Sequence, residues 1–143
     1  MGLNDFYHYE AFDYQDEKLG ITYVFIYNSK TVGYATVAMS KIVRDEIKRR
    51  FRPPIGLKDY PALLIGRLAV DNKWRRKGIG TEICKWCIGR ALALSDEIGC
   101  RYVVLQTDED HKAFYEKAGF TLFKEEENRK GTTDCWFFYK IDI

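Results

Sequence analysis

The sequence predicts a single α/β domain over residues 1–143, and three observations carry that reading. Apolar runs with strand character alternate with runs of helical period, in the order β-β-α-β-α-β-α-β-β. A basic, glycine-bearing turn, RRKGIG (75–80), stands between a strand and the start of the longest helical run. That run is bounded by strands on both sides, so the central strand–helix–strand unit should be a right-handed parallel crossover. Three Trp, ten Tyr and nine Phe suit a β-rich, aromatic-packed core.

Residues 1–20 hold five acidic side chains and one Lys with weak periodicity, and they read as a short strand or irregular lead-in. ITYVFIY (21–27) and TVGYATVAM (31–39) flank the turn NSK and form a hairpin. Val43, Ile47 and Phe51 recur every four residues among charges, which predicts a short amphipathic helix over 42–51, stopped by Pro53 and Pro54. A loop leads to the strand ALLIGRLAV (62–70). The long helix carries Ile79, Ile83, Cys87, Ala91, Leu94 and Ile98 on one face, tolerates Gly89 and closes at Gly99. Strand YVVLQT (102–107) follows. Thr107 and Asp110 then make a capping-box-like start for a short helix through Lys117, with Gly119 and Phe120 at its end. Two strands near 120–124 and 134–141 finish the chain.

Composition excludes several classes. No apolar run approaches the roughly 20 residues of a membrane span, and MGLNDFYHYE lacks the regions of a secretion signal. The expected location is therefore cytoplasmic, with no membrane partner. Cys84 and Cys87 have C-x-x-C spacing but lie inside the helical pattern, and Cys100 and Cys135 are not spaced like a zinc ribbon. All four read as buried, reduced thiols, and no metal is expected. The net charge of +2 speaks against a dedicated nucleic-acid binder, yet it is a cancellation. An acidic lead-in and an EEE run offset two basic clusters, 73–77 and 41–58; the second holds seven Lys or Arg against two acids. On the predicted helix these are a solvated face or a contact for a polyanion such as tRNA.

The chemistry-bearing segment is the turn at 75–80. Gly78 and Gly80 let the backbone expose its N–H groups, and the helix start adds free donors and partial positive charge. Lys73, Arg75, Arg76 and Lys77 surround it, so a diphosphate is the fitting ligand. The phosphate loop of nucleotide hydrolases would need a Lys before Thr81, and the dinucleotide fingerprint a glycine at Ile83, so neither fits.

R-x-x-G-x-G at 75–80, followed about 35 residues later by FYEKAGF (114–120), resembles the GNAT superfamily of acyl-CoA N-acyltransferases in motif and element order over 21–140. YPALLIGRLAVD (60–71), IGCRYVV and the pattern leading to FYEKAGF resemble more particularly the GNAT-type toxins that acetylate aminoacyl-tRNA. The resemblance implies a mixed, mostly antiparallel sheet flanked by helices, whose central parallel strands splay apart to admit acetyl-CoA. Main-chain groups of Leu68, Ala69 and Val70 would hold pantetheine, as an added strand would. Arg75, Arg76, Lys77, Gly78, Ile79, Gly80 and Thr81 would hold the pyrophosphate, and Asp108 stands where many members have an Asn that contacts CoA. An amide near Val70 would polarise the thioester carbonyl.

Tyr115 matches the family's general acid, while packing beside Phe114 is its alternative role. No base is evident; Asp71, Asp108 and Glu109 are routes through water or simple capping carboxylates. His111, beside a helix start, reads as structural, and His8, in the unassigned lead-in, supports no assignment. The implied activity is direct acetyl transfer to a primary amine. The acceptor is left open among a small molecule, a peptide and aminoacyl-tRNA. A non-catalytic acyl-CoA-binding module is the rival reading. A homodimer is left open, and an antitoxin partner is implied only by the toxin resemblance.

Overall fold

Runs rich in Val, Ile, Tyr and Phe build a six-stranded sheet in the computed structural model, which describes residues 11–142. The elements are α1 (Ala11–Asp16), β1 (Ile21–Tyr27), β2 (Lys30–Val43), β3 (Asp59–Val70), α2 (Ile79–Ser95), β4 (Tyr102–Thr107), α3 (Lys112–Lys117), β5 (Thr121–Glu127) and β6 (Thr133–Lys140). Their order across the sheet is β1-β2-β3-β4-β6-β5. Every pairing is antiparallel except β3 with β4, the parallel pair expected of the central crossover. His8, in the lead-in, lies outside the described residues; the described part of that lead-in contains α1 rather than a strand.

The two-residue period of the strands divides the core between the two faces. Along β4, Val103 and Leu105 pack with Ile83, Cys84, Cys87 and Ala91 of α2, whereas Tyr102 and Val104 pack on the opposite face. On β3, Leu63 and Ile65 face α2, but farther on it is Leu68 and Val70 that do so. The change of parity comes from a β-bulge. Thr36 pairs with Arg67 and Val37 with Ile65, so Gly66 has no partner on β2. An isolated glycine inside an apolar strand was the available signal.

The helix expected over 42–51 does not form. β2 runs on to Val43, which pairs with Asp59, and two short 3-10 turns follow at Arg44–Glu46 and Arg49–Phe51. Long antiparallel pairing outweighs a weak helical pattern there. Ile47 and Phe51 instead anchor the turns in the second face, beside Ile42, Tyr60 and Tyr102. Arg52 Nε donates to the Ile47 carbonyl and the Tyr102 hydroxyl to that of Phe51. The element order therefore lacks its first interstrand helix.

Two further boundaries differ. α2 ends at Ser95 with Asp96 as its cap, so Ile98 is exposed and Gly99 lies beyond the helix. The start of the segment before α3 is capped not by Thr107 but by Asp108, whose carboxylate accepts from the His111 N–H. The C-terminal end of α3 is as expected: Gly119 has φ of 96°, and the Phe120 N–H donates to Tyr115 O.

The four cysteines are free and buried. Burial pushes the Cys84 and Cys87 thiols up to about 12 and also raises those of Cys100 and Cys135. A thiolate is the reactive form. A disulfide-exchange reagent at pH 8 should thus titrate almost no thiol in the native chain and all four once guanidinium unfolds it. Rapid native labelling of Cys84 or Cys87 would contradict this burial.

Candidate acyl-CoA site

The sheet opens where β3 and β4 part. Their last pair is Ile65 with Leu105; beyond it β3 follows β2, pairing Leu68 with Ala35 and Val70 with Gly33, while β4 follows β6. One edge of β3 from Gly66 to Val70 therefore lacks a strand partner. A cleft of about 670 Å³ lies there, lined by β3, by the turn and first residues of α2, and by α3.

Local sequence shapes each wall. The Asp71 N–H donates to Val32 O at 2.8 Å, and its carboxylate accepts from the Lys73 N–H at 2.9 Å, which folds the turn Asn72–Trp74. Arg76 (φ 63°) and Gly78 (φ 79°) then reverse the chain into α2. The first helical N–H groups after Gly78 have no partner within the helix. A Cβ at Gly80 would lie 2.9 Å from the Phe114 ring, so glycine there permits the close approach of α3 to the start of α2.

Of the residues singled out from sequence, Leu68, Ala69, Val70, Arg75, Arg76, Gly78, Ile79, Gly80, Thr81 and Tyr115 all line this one cleft. Lys77 and Asp108 do not. The Lys77 ammonium sits 5.2 Å from the centre of the Trp74 ring. Asp108 turns to His111, with Oδ1 2.7 Å from Nδ1. Asp71 and Asp108 each cap a short turn, accepting from the Lys73 and His111 N–H groups. Trp74, Asp110, His111 and Phe114 also line the cleft. Trp74 was missed because an aromatic beside a basic turn reads as packing; Tyr27 does meet it edge-on, at 5.3 Å.

Tyr115 is nearly buried, its ring 4.9 Å from Phe114 and 6.0 Å from both Phe120 and Phe137. Burial raises its pKa above the ordinary tyrosine value, with the neighbouring Cys84 thiol adding to the shift. The phenol is consequently a proton holder at any physiological pH. Among the described residues no group of His, Cys, Asp and Glu is placed to hold a metal ion, and no helix is long and apolar enough to cross a membrane.

The family model of the acetyltransferase (GNAT) domain matches residues 18–122. The chain belongs to the GNAT acetyltransferases. Among curated relatives, this GNAT chain is 27% identical over 100 residues to a tRNA-acetylating toxin of Mycobacterium tuberculosis, a match covering 66% of the chain and 57% of the toxin. It is 44% identical over 63 residues to N-alpha-acetyltransferase 30 of Xenopus laevis, covering 42% of the chain and 22% of that enzyme. The chain thus spans little more than half of one relative and under a quarter of the other.

Among solved structures, AtaT complexed with acetyl-methionyl-tRNAfMet superposes with a TM-score of 0.83 at 21% identity, over 96% of this chain and 81% of that one. A tyrosine-to-phenylalanine mutant of KacT gives 0.82 at 20% identity, over 97% and 81%. These two establish the shared GNAT fold.

Proposed function

We propose that this GNAT domain is an acetyl-CoA-dependent N-acetyltransferase that works by direct attack of a primary amine. The carrying observation is the single cleft that joins an unpaired strand edge, an anion-binding helix start and a buried phenol. Pantetheine would pair with the free edge of β3 at Leu68–Val70, and the pyrophosphate would take the N–H groups between Arg76 and Thr81. The amine nitrogen, neutral when it attacks, forms a bond to the acetyl carbon as the C–S bond breaks. The departing thiolate takes the Tyr115 proton, and the one proton released by the new amide nitrogen passes through solvent to the phenolate, restoring the phenol. A thiol is a stronger acid than this raised phenol, so the transfer runs uphill and is completed by return of the amine proton to the phenolate. Acetyl-CoA screened against amines, polyamines, peptides and charged tRNA, with release of the CoA thiol as readout, tests the proposal. CoA binding without turnover of any acceptor would favour the binding-module reading.

Aminoacyl-tRNA is the second reading, and the basic segment 41–58 favours it. Lys41 pairs with Asp59, and Arg44 with Asp45. Lys48, Arg49, Arg50 and Lys58 are exposed and show no carboxylate partner among the described residues. The segment covers the face of the sheet opposite α2, so a polyanion there would leave the CoA cleft free. The M. tuberculosis relative is named a tRNA-acetylating toxin. An antitoxin partner would follow only with this reading. Four phosphate contacts imply a slope of about −3 for log K against log salt. A salt titration with bulk tRNA should give that slope; no binding at low ionic strength removes this acceptor.

A further inference from the structure

We infer that Trp74 is the stacking platform for the adenine of CoA, so that the site selects a nucleotide-bearing donor over a bare phosphopantetheine thioester. The inference rests on the donor assignment above and adds a base-recognition site to it. Three observations meet at this residue. Trp74 lines the same cleft as the phosphate turn, directly before Arg75 and Arg76. Its ring is half-buried and braced edge-on by Tyr27, with interplanar angle 74°, so the indole is held in place before any ligand arrives. Lys77 Nζ lies over the ring, 5.2 Å from its centre, so the indole already serves as a platform for a cation while Trp74 itself lines the cleft.

The chemistry follows from where a diphosphate would sit. With pantetheine on β3 and the diphosphate at the start of α2, the nucleoside must leave the turn on its outer side. Trp74 is the aromatic residue of the turn itself. A purine on an indole gains stacking energy whatever its hydrogen bonds, and a pre-held ring loses little entropy in providing it. Lys73, Arg75, Arg76 and Lys77 show no carboxylate partner among the described residues and would favour the phosphorylated ribose beside the base.

The test measures dissociation constants by calorimetry for CoA and for 4′-phosphopantetheine, which lacks the nucleotide. The proteins are wild type, Trp74→Leu, which keeps apolar bulk against Tyr27, and Trp74→Phe, which keeps an aromatic face. The preference of wild type for CoA should shrink on the order of tenfold in Trp74→Leu and be largely retained in Trp74→Phe. A preference unchanged within about twofold in Trp74→Leu, or equal weakening of both ligands, overturns the stacking site alone. No CoA binding by wild type overturns the donor assignment and the platform together.

Discussion

Replacing Tyr115 by Phe should lower kcat at least tenfold while CoA still binds with near wild-type affinity. The substitution removes one hydroxyl from a ring that is 9% exposed and keeps the aromatic contacts with Phe114, Phe120 and Phe137. Loss of packing is therefore small, and what remains is loss of a proton donor to the departing thiolate, an effect worth roughly 100-fold or more where proton transfer limits the rate. The pH profile supplies a second reading. Because burial holds the phenol above its ordinary pKa, the wild type should show no loss of activity through Tyr115 ionisation below about pH 10. Tyr115→Phe with full kcat would show that another group, or water, protonates the thiolate.

The Gly33→Ala substitution should destabilise the fold by about 1–3 kcal/mol and weaken CoA binding with it. An alanine Cβ at this position would lie 2.6 Å from Ala69 O and 2.8 Å from Ile83 Cδ1. The isoleucine methyl can turn away, but the Ala69 carbonyl belongs to the backbone and cannot. Relief must come from moving β3 away from β2 at Val70, the same stretch whose other edge faces the cleft. Gly89→Ala is the matched control. Nothing lies within 4 Å of its Cβ, and a helical interior gains up to about 1 kcal/mol from alanine over glycine. Thermal midpoints should thus move in opposite directions. A Gly33→Ala chain as stable as wild type would contradict the close approach of β2 to the Ala69 carbonyl of β3.

Much of the candidate site could be read before its structure because it is local. The phosphate turn is set by residues 75–80, and the FYEKAGF segment by 114–120, each within one or two turns of chain. Chain order and the parallel crossover then bring them to one cleft. What escaped is long-range or depends on register. The spacing of Val43, Ile47 and Phe51 suits a helix, yet pairing of Ile42 and Val43 with residues 59–60 on β3 decides the backbone there. Ile98 continues an apolar stripe that the helix itself does not reach. Lys77 sits in the motif but turns to Trp74, a ring sequence reading treats as packing.

The unpaired Gly66 divides β3 into two stretches under different constraints. Before it, alternate side chains serve both cores; after it, Leu68 and Val70 carry the wall of the cleft. A single extra residue thus gives one strand a foundation half and a service half. Inserting or deleting a single residue between the halves would turn the groove wall inside out.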